Sequence, residues 1–287
     1  MTRLPTSSSI PIASLLSQTP SPLSFIYASH SRWPLPPHAG TSSLTNKHTS
    51  ITVLDSSFNP PHAAHKALGE TANSETGAQL LTFSLSNADK QLDKKDLHHR
   101  LEMVRAMALD LNRGNGGVKH KWNNVAVAVL DAATFVKKSE ILNKEITRLL
   151  REEHGAEEDV KPEFVFPVGW DTVIRIFAPR YYPPPGPDLS TSMETFLSTN
   201  RSSLICARRG NGEVSHQEEE EFLSTPEVNK WVQNGKLKLV DLEEESVRGI
   251  SSTAIRKAVK EGDWEKVNEM VPFPSVIEVI KREQLFT

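Results

Sequence analysis

Residues 51–65 read I-T-V-L-D-S-S-F-N-P-P-H-A-A-H. The apolar, β-branched run 51–54 predicts a short buried strand, the Ser, Asn and Pro that follow predict a turn, and a helix is expected to open near His62. A strand that passes through a tight turn into a helix leaves unpaired backbone N–H groups and the positive end of the helix dipole at the turn. Phosphate is attracted to such a place. His62 and His65 are three residues apart and share one face of the first helical turn, where together they can hold one anion. By itself an H-x-x-H pair is unspecific, and this one lacks the Glu of the zinc-binding H-E-x-x-H motif.

Beyond this stretch, strand-like and helix-like patterns alternate. Short apolar runs at 51–54, 79–85, 125–130, 164–168, 204–207 and 237–240 predict strands. Between them, Leu97, Leu101, Val104, Ala108 and Leu111 form a stripe at helical spacing with Glu102 and Arg105 facing away, and Ile141, Leu142, Glu145, Ile146 and Leu149 place a second helix over 139–152. Short strands separated by helices pair in parallel through right-handed crossovers. The fold class is therefore α/β, a doubly wound, mainly parallel Rossmann-like sheet. Such sheets bind ligands at the carboxyl ends of their strands, and the turn after Leu54 is one of those ends.

The first 50 residues are rich in Ser, Thr and Pro, with apolar patches at 13–16 and 23–28. They are read as an N-terminal segment, partly disordered or packed on a core domain spanning 51–287, with Trp33 as a packing anchor. Residues 180–197, R-Y-Y-P-P-P-G-P-D-L-S-T-S-M-E-T-F-L, interrupt the alternation and read as a long surface loop or as a flap beside the site. The acidic run 218–221 reads as a solvated helix face, and His98 and His99 as surface or capping residues.

Composition narrows the function classes. The 287 residues carry 33 Lys+Arg against 36 Asp+Glu, a net charge of -3 that speaks against a general nucleic-acid binder. Cys206 is the single cysteine, so an intrachain disulfide and a multi-cysteine zinc site are excluded, and a reducing compartment, cytoplasmic or nuclear, is expected. No apolar run approaches the length that spans a bilayer.

Three further strings matter. Gly169-Trp170-Asp171 follows the fourth of these strands; Gly lets a ligand approach the backbone, and an Asp at a helix start either caps it or accepts from ribose hydroxyls. Arg208-Arg209-Gly210 follows the fifth, and either Arg can meet phosphate. In I-S-S-T-A-I-R, residues 250–256, Ser251 or Ser252 can cap a helix facing an anion, with Arg256 one turn in.

Taken together, these strings resemble the nucleotidyltransferase superfamily. S-F-N-P-P-H-x-x-H is similar to G-x-F-N-P-x-H-x-G-H of its nicotinamide-nucleotide adenylyltransferase family, with Phe58, Asn59, Pro60, His62 and His65 matching, Ser56 in place of the first Gly and Ala64 in place of the Gly between the histidines. The string at 250–256 resembles I-S-S-T-x-x-R. Gly169 and Asp171 match a G-x-D, Arg208 matches the Arg of an R-x-G, and 270–286 resembles the family's structural ending.

What the resemblance implies is adenylyl transfer from ATP to nicotinamide mononucleotide, giving NAD and pyrophosphate. It makes His62, His65 and Arg256 the catalytic residues and Ser57, Phe58, Gly169, Asp171, Arg208, Ser252 and Thr253 the ATP-binding set. Phe135, or alternatively Trp122, would stack on the nicotinamide ring. Mg2+ would be bound through the ATP phosphates, and the partners would be ATP and the mononucleotide, with no nucleic acid and no membrane. Two alternatives stand beside it: another nucleotidyltransferase of the same fold with a different phosphate acceptor, or an ATP-binding regulatory protein with little turnover.

Overall fold

The computed structural model describes residues 4–6, 11–16, 21–37, 48–72, 76–86, 96–114, 122, 124–209, 215–242, 247 and 249–287. The chain opens with α1 (Ile12–Leu16) and β1 (Leu23–Ala28), then runs through β2 (His48–Asp55), α2 (Ala63–Glu70), β3 (Ala78–Ser84), α3 (Leu97–Arg113), β4 (Val125–Leu130), α4 (Phe135–Glu152), β5 (Lys161–Gly169) and α5 (Trp170–Ile176). After a short 3-10 turn (Pro179–Tyr181) come α6 (Leu189–Met193) with a π-helical continuation (Glu194–Thr199), β6 (Ser202–Arg209), α7 (His216–Ser224), α8 (Pro226–Gln233) and β7 (Leu237–Leu242). The chain ends in α9 (Ser252–Glu261), α10 (Trp264–Met270) and α11 (Pro274–Arg282).

The expected doubly wound sheet is present: seven strands in the order β1-β4-β3-β2-β5-β6-β7, with β2 through β7 parallel to their neighbours and β1 antiparallel to β4. From β2 the chain steps outward to β3 and β4, then returns to lay β5 on the other side of β2 and continues to β6 and β7. The strand order therefore reverses between β2 and β5, and a crevice opens beyond their carboxyl ends.

Central strands covered on both faces must be apolar throughout. All six residues of β4 are buried, and six of the seven in β3. Their alternation divides the core into two layers. Ile51, Val53, Leu80, Ala126, Phe164 and Phe166 face α4 on one side. Leu54, Leu81, Phe83, Val127 and Val129 face α3, α9, α10 and α11 on the other.

The N-terminal segment enters this core. The apolar patch at 23–28 forms β1 on the edge of the sheet, and Trp33 is fully buried, its ring edge-on to Phe25 at 5.3 Å and its indole N–H donating to the Gln79 carbonyl at 3.2 Å. Residues 38–47 lie outside the described residues.

Two readings of the sequence are corrected here. Residues 189–199 are helical rather than a loop: Asp188 caps α6 by accepting from the Thr191 N–H at 2.8 Å, and Met193, Phe196 and Leu197 recur at helical spacing and are buried. The Pro-rich stretch 183–188 is exposed throughout. Glu102 and Arg105 do not face away from the protein, because α11 packs beside α3; their side chains are 17% and 12% exposed, and Glu102 accepts from Arg282 at 2.9 Å. Among the described residues, no helix is long and apolar enough to cross a membrane.

Candidate active site

The turn after β2 enters the crevice. Phe58 adopts a φ of 44°, a left-handed conformation that a buried aromatic side chain rarely takes, and its ring is fully enclosed in the core. His62 stands at the N-cap of α2 in extended conformation, with φ -155° and ψ 175°. Its backbone N–H donates to Nδ1 of His65 at 3.2 Å, the half of a capping box in which the third helical residue reaches back to the cap. The two imidazoles lie 3.8 Å apart between ring centroids, and Phe58 lies 4.9 Å from His65 on its other contact. His65 Nε2 is 2.9 Å from the Ser56 hydroxyl.

A second helix N-terminus arrives at the same turn from the other end of the chain. Ser251, not Ser252, caps α9, its hydroxyl accepting from the Ala254 N–H at 3.1 Å. Ser252 is thereby released to donate its hydroxyl to the Pro60 carbonyl at 3.2 Å. Arg256 donates through Nη1 to the Asn59 carbonyl at 2.7 Å and through Nη2 to the Thr253 hydroxyl at 3.1 Å. The openings of α2 and α9 are thus tied to consecutive carbonyls of one turn. Two sets of unpaired N–H groups, two imidazoles and a permanent cation gather at the carboxyl end of β2, which makes the place strongly attractive to a polyanion. Thr253 and Ser57 are exposed at this site, and Ser252 and Arg256 partly so.

Across the reversal point, Gly169 ends β5 and caps α5 with φ -79°. A Cβ at this glycine would meet nothing within 4 Å, so the space beside its main chain is open to a ligand. Asp171 follows in the first turn of α5, exposed and making no capping bond to the helix.

Sequence reasoning missed the charge pair beneath the turn. Asp55, the last residue of β2, accepts from the hydroxyls of Thr82 (2.9 Å) and Ser84 (2.8 Å) through one oxygen and from the Lys138 ammonium through the other. Lys138 is 5% exposed and lies 4.7 Å from the Phe135 ring centroid. The available signal was a lysine standing three and four residues before Ile141 and Leu142, on the buried face of α4.

Three sequence candidates are engaged in packing or ion pairs. Trp122 is wholly buried beneath α2, where a Cβ on Gly69 would come within 2.4 Å of its indole ring; it is a core residue and cannot stack on a ligand without leaving the core. Phe135 belongs to an aromatic packing cluster, with Phe166 edge-on at 5.7 Å and Phe196 at 6.4 Å, and the Lys138 ammonium lies over its ring. Arg208 is held by carboxylates: Asp241 accepts from Nε at 2.7 Å and Nη2 at 2.9 Å, and Glu219 from Nη1 at 2.8 Å. Asp241, then Glu219, strengthens its hold on the proton. Gly210 of the same string lies outside the described residues.

Comparison with known proteins agrees with this geometry. A cytidylyltransferase-like family model matches residues 53–258. A protein of Schizosaccharomyces pombe that carries the provisional name nicotinamide mononucleotide adenylyltransferase is 29% identical over 239 residues, covering 80% of this chain and 84% of its own. Among solved structures, Plasmodium falciparum nicotinic acid mononucleotide adenylyltransferase complexed with APC superposes with a TM-score of 0.52 at 18% identity, over 83% of this chain and 98% of that one. The same enzyme complexed with NaAD gives 0.52 at 19% identity over the same shares. At these identities the structural likeness speaks to the fold.

Proposed function

The chain belongs to the cytidylyltransferase-like family, and on that premise we propose that it transfers the adenylyl group of ATP to nicotinamide mononucleotide, giving NAD and pyrophosphate. The observation that carries this reading is the meeting of the α2 and α9 N-termini on the carbonyls of Asn59 and Pro60, at the reversal point of the sheet. The S. pombe relative, named for the same reaction, supports the choice of acceptor.

In this reaction the mononucleotide's phosphate oxygen attacks the α-phosphorus of ATP in line. One phosphorus–oxygen bond forms, the bond to the bridging oxygen of the β-phosphate breaks, and pyrophosphate leaves with the electron pair. The protein supplies no nucleophile; its task is position and positive potential. The charge that the protein's residues leave on the triphosphate would be neutralised by Mg2+ carried with ATP, for which this chain need supply no ligand of its own. His62 and the α2 N–H groups, with Ser57 and the Phe58 main chain beside them and His65 behind, its two ring nitrogens engaged by the His62 N–H and Ser56, would hold the triphosphate where charge moves from the α-phosphate to the leaving group. Ser252, Thr253 and Arg256 would hold the outer phosphates, and Gly169 and Asp171 the adenosine. Arg208 would join them against the pull of Asp241 and Glu219, which hold three of its five N–H donors. All of these residues fall within 51–287, and of the described residues before them β1 and Trp33 pack into the sheet and its core.

The test is a coupled assay of purified protein with MgATP and, separately, nicotinamide mononucleotide, its deamidated form, and the phosphate esters of pantetheine and choline. NAD with stoichiometric pyrophosphate is expected. Turnover with one of the other acceptors alone would transfer the reading to that substrate, and ATP binding with no product from any acceptor would favour the regulatory protein.

A further inference from the structure

We propose that the Ser56 hydroxyl is itself a contact to the triphosphate, and that His65 acts on the phosphates through it. The inference rests on the adenylyl-transfer reading and assigns a direct role at the same site to a residue that departs from the family pattern.

The argument begins with the tautomer of His65. A backbone N–H is an obligate donor, so the bond from the His62 N–H to Nδ1 requires Nδ1 to carry no proton. The imidazole hydrogen is then on Nε2, and Nε2–H donates to Ser56 Oγ at 2.9 Å. Stacking against His62 and contact with Phe58 hold the ring in that orientation. His65 in this arrangement presents its hydrogen to the serine.

Ser56 passes that interaction on. Its hydroxyl hydrogen cannot return to a nitrogen that is already donating, and among the described residues His65 is the only hydrogen-bond partner of Oγ. Ser56 is partly exposed at the carboxyl end of β2, directly before the turn that joins the two helix openings. Its hydrogen is therefore available to an oxygen of whatever anion those helices collect. A hydroxyl that accepts from an imidazole N–H is polarised into a stronger donor. Ser56 is not among the residues with positive φ, so no backbone constraint calls for glycine at this position.

The test is a double-mutant cycle of S56A, H65A and the pair, with S56T as the conservative rescue, all checked for unchanged thermal melting. Each variant is assayed for kcat/KM and, independently of turnover, for calorimetric affinity toward α,β-methylene ATP. S56A should lose about ten- to a hundred-fold in kcat/KM, the range of one charge-assisted hydrogen bond, and the pair should be no worse than H65A alone. S56T should retain most of the activity. The proposal is overturned if S56A stays within about three-fold of wild type while H65A is inactive, or if the two losses multiply as independent sites do. If the wild-type protein transfers no adenylyl group, the functional reading fails by itself and calorimetry still decides the contact. In that case affinity for the analogue should fall about ten-fold in S56A and survive in S56T, and equal affinity in all variants overturns the proposal.

Discussion

Lys138→Met would test whether the turn rests on the buried charge pair. The substitution keeps a long unbranched side chain but removes the ammonium from a place where the Lys138 side chain is 6% exposed and that of Asp55 11%. Asp55 would retain the Thr82 and Ser84 hydroxyls on one oxygen and lose its Lys138 partner on the other. Stranding one charge of a buried pair costs about 3–5 kcal/mol. Two remaining donors and slight solvent access bring the expectation down to or just below the bottom of that range, about 2–3 kcal/mol, or roughly 5–10 °C in melting temperature for a chain of this size.

Urea denaturation followed by tryptophan fluorescence reads the change, provided the denaturant slope matches that of the parent protein. Asp55→Asn combined with Lys138→Met removes both charges while keeping an acceptor for the two hydroxyls, so it should recover about half or more of the loss. A single variant that loses less than about 1 kcal/mol would refute the reasoning, because that is the scale of an exposed pair. A double variant as unstable as the single would refute the assignment of the loss to the stranded carboxylate.

Arg256→Lys keeps the charge but cannot bridge the Asn59 carbonyl and Thr253 as the guanidinium fork does; the apparent KM for ATP should rise about ten-fold or more, and by more than that for the mononucleotide, in steady-state assays. Trp33→Ala empties a fully buried site in the N-terminal segment and should cost about 3–5 kcal/mol by denaturant unfolding, so deletion of residues 1–47 should abolish cooperative melting. Burial pushes the Cys206 thiol up to about 12, with Glu219 adding to the effect, so at pH 8 iodoacetamide should label the protein only as fast as it unfolds. The thiol ionises more readily in the unfolded chain, so this group withdraws stability as pH rises past about 8.5. Asp110→Ala strips a buried carboxylate from the Ser275 N–H and hydroxyl, both at 2.8 Å at the opening of α11, and should lower stability by about 1–3 kcal/mol in the same unfolding assay.

Strands β2 to β7 were legible because each is an apolar run whose composition fits a strand buried on both faces. The antiparallel placing of β1 was not, since an apolar patch says that a segment will be buried but not which strand it will join. The helix at 189–199 was hidden by the prolines just before it. Their turn signal dominates a short window, while Met193, Phe196 and Leu197 become informative only when Asp188 is recognised as a cap.

At the site, the legible residues were those whose chemistry is local to a short string. His62, His65, Ser252 and Arg256 each stand one helical turn from a residue that gives them meaning, and the structure brings them together. Arg208 and Trp122 were less legible for the opposite reason: what surrounds them comes from elsewhere in the chain. The carboxylates that hold Arg208 are supplied by α7 and β7, and Trp122 is enclosed because Gly69 on α2 leaves room for it. The same distance in sequence makes the meeting of α2 and α9 informative. Asn59 and Arg256 are 197 residues apart, yet Arg256 donates to the Asn59 carbonyl while its neighbour Ser252 donates to that of Pro60. A helix tethered at two points to the turn that opens another helix cannot shift without moving that turn. On the proposed reading, a triphosphate bound by either helix would be felt by the other, and loss of the Arg256 fork should disturb His62 and His65 as well as the phosphates it would contact.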